Sequence, residues 1–390
     1  MRIVVTGGGS GGHITPILAV AHEIKKIQPK AEIIYVGQTG DSLGDLPAQD
    51  ANIDVVKTVR AGKLRRYHGE GIWQLLDIPT VLKNIRDAFY TVAGVFQSLV
   101  LLKRLRPDVV FIKGGFVGVP IGLASAFWRI PYVTHDSDAI PGLANRIVAP
   151  WAAKHAVAMP KEVYAYPKDK TVTVGVPVSY KYHRLTAQDI AAARAKVGLG
   201  QYNKVILVTG GGLGAQRLND AVADCAPDLL TRYPDLAIVQ LAGRNKDQPL
   251  RLLYGKRLSA EDKPRVIVRD FVTNLHDYSA AADVVITRAG ANSLAEFAAQ
   301  AKACVVVPNP YLTGGHQLKN AKVLADRKAI KMVSEDNLMR DHFALMPPLV
   351  ELLDDPQRAR ELGERLGGLE QSNAAERLAM VLLEVADTTA

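Results

Sequence analysis

Cysteine is nearly absent: the 390 residues include only Cys225 and Cys304, each in apolar Ala-rich or Val-rich surroundings and without CxxC spacing. Disulfide frameworks and zinc sites are set aside, since both need paired or clustered thiols. Aromatic residues make up 6%, and no nucleic-acid motif accompanies them, so nucleic acid is not an expected partner. No run approaches the ~20 consecutive apolar residues that span a bilayer. Met1-Arg2 leads directly into a strand pattern with no signal-peptide core, and a cytoplasmic protein is expected.

What is present is positive charge, hydrophobic mass and glycine. The net charge of +9 favours an anionic partner, either a phosphorylated small molecule or an anionic membrane surface. The length exceeds the ~250–300 residues at which single cores stop growing, which predicts two domains. Between 63 and 106, basic residues (Lys63, Arg65, Arg66, Lys83, Arg86, Lys103, Arg104, Arg106) are mixed with Trp73, Leu76, Ile78, Leu82, Phe89, Phe96 and Leu99. That mixture suits a helix lying on a membrane, and equally one whose apolar face meets the core; beyond Val92 the core reading is preferred.

Strand patterns near 2–6, 32–36, 54–58, 108–112, 131–134, 155–158 and 171–174 alternate with helical ones. A second series, with strands near 205–209, 236–241, 265–268, 283–287, 303–307 and 330–333, follows the Gly175-Val176-Pro177 connection. Each series implies a doubly wound parallel sheet. The domains are expected at 1–175 and 180–370, with a last helix near 374–390 returning to the first.

Both series begin alike. GGGSGGH (7–13) and GGGLGA (210–215) each link an apolar strand to a helix, and such a loop aims backbone N–H groups at an anion, although a bare tight turn also needs glycine. The first fits neither the Walker pattern nor, cleanly, the dinucleotide fingerprint. Arg288 and Glu296 flank the next strand-to-helix turn, where Arg suits phosphate and a carboxylate suits ribose hydroxyls; a surface Arg288–Glu296 pair is the plain alternative. His316, Gln317 and Asn320 open a further helix with the donors and acceptors that sugar recognition needs. Asp136-Ser137-Asp138 spells Asp-X-Asp, a metal-binding tripeptide in some sugar transferases, but two glycine loops can carry the phosphate charge without one.

GGGSGGH, the Gly114-Gly115-Phe116-Val117 turn, HxxxxxPGLxN (135–145), GGGLGA, TRAGANSLAE (287–296) and PYLTGGHQLKN (310–320) occur in the order of the MurG-type glycosyltransferases. The chain resembles that family over nearly its whole length. The resemblance implies the two-domain GT-B fold. It also implies inverting, metal-independent transfer of N-acetylglucosamine from UDP-GlcNAc to undecaprenyl-pyrophosphoryl-muramyl-pentapeptide. The setting would be the cytoplasmic membrane face, within a cell-wall synthesis complex and with no cofactor. The first domain would hold acceptor and the second donor. By position, Ser10, Gly11 and Gly12 resemble the loop near the diphosphate, and Gly212, Leu213 and Gly214 the donor phosphate turn. Phe271 and Val272 resemble the uracil contacts. Arg288, the run Ala291, Asn292, Ser293, Leu294, Ala295 and Glu296, and His316, Gln317 and Asn320 resemble the nucleotide and sugar contacts. His13 is similar to the family's general base, and a helix N-terminus would favour its neutral form.

The sequence departs from the family in three places. His135-Asp136-Ser137-Asp138 replaces His-Glu-Gln-Asn, putting a carboxylate, Asp138, where an amide is usual and making it a second catalytic candidate. Gly212 replaces a serine, and Val178-Ser179 lacks an arginine. The 63–106 region is also longer than usual. The departures keep three rivals open: transfer to another lipid or glycan acceptor, UDP-sugar 2-epimerisation, and non-catalytic sugar-nucleotide binding.

Overall fold

The computed structural model describes residues 1–9, 11–41, 43–63, 77–212, 214–311, 315–369 and 373–388. Ser10, Leu213 and the 64–76 part of the basic apolar region lie outside them. The chain forms two units, one of Met1–Ser179 with Tyr311–His316 and Gln371–Ala390, the other of Tyr180–Pro310 with Gln317–Glu370.

The first unit runs β1 (Arg2–Gly7), α1 (Gly11–Ile27), β2 (Glu32–Gln38), α2 (Asp45–Ala48), β3 (Val55–Val59), α3 (Ile78–Leu105), β4 (Val109–Gly114), α4 (Gly118–Trp128), β5 (Tyr132–Asp136), α5 (Leu143–Val148), β6 (Lys154–Val157) and β7 (Thr171–Thr173). Its seven strands are parallel in the order β3-β2-β1-β4-β5-β6-β7. Continuous β-branched runs such as Ile3-Val4-Val5 and Val109-Val110-Phe111-Ile112 are wholly buried, as expected of strands covered by helices on both faces. The strand order reverses between β1 and β4, where the first glycine loop emerges.

The second unit contains α6 (Ala187–Lys196), β8 (Lys204–Thr209), α7 (Gln216–Arg232), β9 (Leu236–Leu241), α8 (Asp247–Arg257), β10 (Val266–Arg269), α9 (Leu275–Ala281), β11 (Val284–Thr287), α10 (Ala291–Ala299), β12 (Ala303–Val306), α11 (His316–Asp326), β13 (Lys331–Met332), α12 (Glu335–Arg340), α13 (Met346–Asp354) and α14 (Pro356–Gly367). Its parallel sheet is ordered β10-β9-β8-β11-β12-β13. The reversal lies between β8 and β11, again at the glycine loop. Cys225 and Cys304 are buried and unbridged. The final helix, α15 (Ala374–Asp387), packs on α1 in the first unit, burying Leu378, Ala379, Leu382 and Val385 with Ile3, Ile17 and Ile24.

Helix α3 departs from two expectations. Asp77 caps it by accepting the Thr80 N–H, and Arg106 ends it in a left-handed conformation at φ 48°. The face turned to the protein is made of Thr80, Asp87, Gly94, Ser98 and Leu102. Gly94 is required there, because a Cβ would lie 1.9 Å from the Arg60 carbonyl oxygen. The large apolar residues Ile78, Leu82, Ile85, Phe89, Val92, Phe96 and Val100 form the opposite, exposed stripe, with Phe89 72% and Phe96 66% accessible. The preferred core reading beyond Val92 is therefore wrong for Phe96 and Val100. The helix also contains an 18-residue window with mean hydropathy 1.3, long and apolar enough by composition to cross a membrane. The sequence reading missed it because Arg86 and Asp87 interrupt the run without greatly lowering its average.

Candidate active site

In an open parallel sheet, ligands bind beyond the carboxyl ends of the strands, where the strand order reverses. Both reversal points carry a glycine loop here. In the first unit, Gly9 N–H donates to Asp41 Oδ2 at 2.9 Å, tying the loop to the end of β2. Gly11 and Gly12 open α1, and His13 follows in its first turn. The half-buried His13 ring lies against the turn after β4: a Cβ on Gly115 would meet Nδ1 at 3.4 Å and one on Gly114 would meet Cδ2 at 3.6 Å. Its pKa is lowered to about 4, first by burial and then by the Lys113 ammonium, while the Gly8 backbone, Asp138 and Asp41 oppose the shift. The neutral form expected for this histidine is thus obtained mainly by desolvation and a neighbouring cation.

Strand β5 delivers His135, Asp136 and, just beyond it, Asp138. His135 Nε2 donates to the Gly175 carbonyl at 2.9 Å, and burial lowers its pKa well below the usual value. Asp136 Oδ1 accepts from Gly142 N–H and Asn145 Nδ2, both at 3.0 Å. Its Oδ2 accepts the Tyr166 hydroxyl at 2.9 Å. Oδ1 of Asp136 thus holds the 136–145 turn, and Oδ2 ties that turn to Tyr166. Among the described residues no His/Cys/Asp/Glu group is arranged to hold a metal ion. Asp138 is half-buried, its carbonyl accepts the Tyr164 hydroxyl at 2.9 Å, and its charge acts on His13 and Lys113.

In the second unit, Gly214 adopts φ +71°, and a Cβ there would lie 2.1 Å from the Ala242 carbonyl oxygen, so only glycine fits. Gly212 differs: a Cβ would have ordinary contact with Phe271 at 3.8 Å. The Arg244 guanidinium lies over the Phe271 ring, 4.5 Å from its centroid, and Arg244 N–H donates to the Gly212 carbonyl at 3.3 Å. Phe271 and Val272, both half-buried, follow β10. Gly290 precedes α10 with no side-chain cap, and a helix N-terminus such as this one, Ala291 to Ser293, is suited to an anion. Leu294 is buried and Ala295 half-buried on the same helix. Glu296 accepts a hydrogen bond from Tyr182, and burial raises its pKa to about 7. Tyr182 lies T-shaped to His276, with ring centroids 5.9 Å apart.

Arg288 requires a correction. It does not project freely toward a ligand, nor does it pair with Glu296. It is 7% exposed and forms a two-point ion pair with Glu335, which opens α12, while also donating to the Val307 carbonyl at 3.1 Å. Gln317 Oε1 accepts the Asn309 N–H at 2.9 Å, and Asn320 Nδ2 donates to the Ala289 carbonyl at 3.2 Å. These amides therefore brace the turns after β11 and β12. His316 starts α11, four residues before Asn320. Sequence reasoning missed Arg244, Tyr182, Glu335 and Lys113. Only Arg244 carried a signal, since Ala242-Gly243-Arg244 directly follows a buried strand.

Residues 3–157 match the Glycosyltransferase family 28 N-terminal domain and residues 205–378 the Glycosyltransferase family 28 C-terminal domain. A protein from Natranaerobius thermophilus named UDP-N-acetylglucosamine–N-acetylmuramyl-(pentapeptide) pyrophosphoryl-undecaprenol N-acetylglucosamine transferase is 30% identical over 364 residues, covering 92% of this chain and 94% of its own. The crystal structure of Acinetobacter baumannii MurG superposes with TM-score 0.67 at 22% identity, covering 98% of this chain and 99% of its own. UDP-GlcNAc 2-epimerase from Neisseria meningitidis bound to UDP-GlcNAc does so with TM-score 0.64 at 14% identity, covering 98% of this chain and all of its own. At those identities both structures establish the shared fold alone. The near full-length sequence match and the two family 28 domains settle the family: the chain is a glycosyltransferase and belongs to the MurG-type N-acetylglucosamine transferases.

Proposed function

We infer that the protein transfers N-acetylglucosamine from UDP-GlcNAc to the muramyl 4-hydroxyl of a lipid-pyrophosphate-linked muramyl peptide, in peptidoglycan synthesis. The names of the full-length relatives support the substrates. The observation that carries the chemistry is the placement of His13 in the first turn of α1, its ring against Gly114 and Gly115 at the strand-order reversal of the first unit, where burial favours the neutral imidazole. A base of that kind accepts the proton of the acceptor hydroxyl as its oxygen bonds to the anomeric carbon. In the same displacement the bond from that carbon to the UDP oxygen breaks, with inversion, and UDP departs as the anion.

The second unit is assigned the donor. The 210–214 turn and the uncapped start of α10 suit the diphosphate, Phe271 and Val272 the uracil, and Glu296 the ribose hydroxyls. Arg244 supplies the cation that Val178-Ser179 does not, while Arg288 serves by holding α12 to this sheet. The first unit is assigned the acceptor and the membrane. The exposed α3 stripe, flanked by Lys83, Arg86, Lys103 and Arg104 and continued by exposed Phe127 and Trp128 on α4, matches an anionic lipid surface in its mixture of apolar bulk and cations. On this reading the protein works peripherally at the cytoplasmic face.

Purified protein with UDP-GlcNAc and a short-chain lipid-pyrophosphoryl muramyl peptide tests the reading. Disaccharide product is expected. UDP release only with a different acceptor, epimerised donor, or binding without turnover would each overturn it in favour of a named rival.

A further inference from the structure

The second unit buries an ion cluster that the reaction as described leaves unused. Glu335, 3% exposed in the first turn of α12, receives arginines from two other elements. Arg288 comes from the end of β11 and uses both guanidinium ends, Nη1 on Oε2 and Nη2 on Oε1, the latter at 3.2 Å. Arg217 comes from the first turn of α7 and reaches Oε1 with Nη1 alone, also at 3.2 Å. Arg288 Nη1 further donates to the Val307 carbonyl at 3.1 Å, which ties the cluster to the end of β12.

A buried carboxylate shared by two cations is costly to assemble, and its place in the sheet gives it a task. Strands β8 and β11 are neighbours, with Thr209 paired to Thr287. The next residue on β11 is Arg288, and the next on β8 is Gly210, the first of the glycine turn. That turn feeds α7, and Gly290, two residues beyond Arg288, feeds α10. Neither helix start carries a side-chain cap. Two backbone sites suited to anions therefore leave adjacent strands, and Glu335 grips a residue at each: Arg217 in the first turn of α7 and Arg288 just before α10.

We propose that Glu335, Arg288 and Arg217 are positioning residues for the donor diphosphate, the shared carboxylate holding the 210–214 turn with α7 and the start of α10 at one spacing so that both meet the same diphosphate. The cluster acts through the two turns rather than on the ligand. A misplacement of about 1 Å is enough to forfeit the hydrogen bonds such turns make. The proposal rests on the second unit binding the donor. The geometry also makes the two arginines unequal. Arg217 uses one nitrogen, a contact that a lysine ammonium can reproduce, whereas Arg288 uses two on one carboxylate, which a lysine cannot. Arg217 is exposed, so its loss leaves the buried Arg288–Glu335 pair intact.

Calorimetric titration of the full-length protein with UDP and, by competition, with uridine, which lacks the diphosphate, tests this. Arg217→Met is expected to melt like wild type and to bind UDP at least about fivefold more weakly, with uridine unchanged within about twofold. Arg217→Lys should restore UDP binding to within about twofold of wild type, while Arg288→Lys should not. In Arg217→Met the KM for UDP-GlcNAc should rise with kcat within about threefold. Glu335→Gln should weaken UDP as well, and adding Arg217→Met to it should cost no further affinity, the non-additivity of residues that act through one carboxylate. Wild-type UDP affinity in Arg217→Met overturns the proposal, as does an equal loss for uridine, which would be a general loosening of the unit. Additive losses in the double variant also overturn it, since they make Arg217 a direct contact. If Glu335→Gln does not fold, Arg217→Met and Arg217→Lys decide alone. Wild type that binds no UDP removes the donor assignment and the proposal with it, whereas wild type that binds UDP beside unchanged variants removes the proposal only.

Discussion

The two glycine loops share one backbone plan and differ in their company. Each leaves the strand beside the order reversal of a parallel sheet and enters a 17-residue helix. Around the first stand the ionisable side chains of His13, Lys113, Asp136 and Asp138. Around the second stand Arg244 over Phe271, an uncapped helix start and a half-buried Glu296 bonded to Tyr182. Under the proposed function, the same device for presenting backbone amides is directed by side chains from neighbouring strand ends, toward proton transfer in one unit and toward nucleotide recognition in the other.

That contrast breaks most visibly at His13. His13→Ala should lower kcat by roughly 10²- to 10⁴-fold, the range for loss of a general base, with the donor KM nearly unchanged in steady-state assays. Membrane engagement should also belong to the first unit alone. Phe89→Glu with Phe96→Glu should cut sedimentation with anionic vesicles by about tenfold or more while leaving turnover of a water-soluble acceptor intact. Raised salt should weaken what binding remains.

In the second unit, Glu296→Gln should raise the donor KM by about tenfold with a smaller change in kcat, the pattern of lost ground-state binding. The two groups also impose opposite pH slopes on stability. The folded-state pKa of His13, about 4 against 6.5, means that the unfolded chain binds the extra proton between those values, so its contribution improves as pH rises. For Glu296, about 7 against 4.5, the native state binds the proton, so stability is lost as pH rises through that window. Urea midpoints measured from pH 4.5 to 7 should lose the fall in Glu296→Gln and the rise in His13→Gln. The smallest effect is expected from Gly212→Ser. The site has room for the side chain, and the added hydroxyl should lower the donor KM by about two- to fivefold, one hydrogen bond to an anion shared with water.

The sequence makes most strands legible because runs such as Ile3-Val4-Val5 and Val109-Val110-Phe111-Ile112 are buried on both faces. It makes the loops legible because GGGSGGH and GGGLGA sit at strand-to-helix junctions. Side-chain partnerships across the sheet are another matter. Glu335 lies 47 residues from Arg288, and no local pattern joins them. Lys113 reads as an ordinary charge at a strand end, yet it is buried where the pairing of β1 with β4 shifts register. In α3 the periodicity draws a clear apolar stripe, but it cannot say that Thr80, Asp87, Gly94 and Ser98 are the residues that face the protein. Small residues won that side because the helix backbone must approach Arg60 closely.

Calorimetric titration of UDP into wild type, His13→Ala and Glu296→Ala without acceptor tests the division of labour between the two loops most directly. The account predicts a Kd within about threefold of wild type for His13→Ala and at least about tenfold weaker for Glu296→Ala. Comparable weakening in both variants, or an unaffected Glu296→Ala, would contradict it.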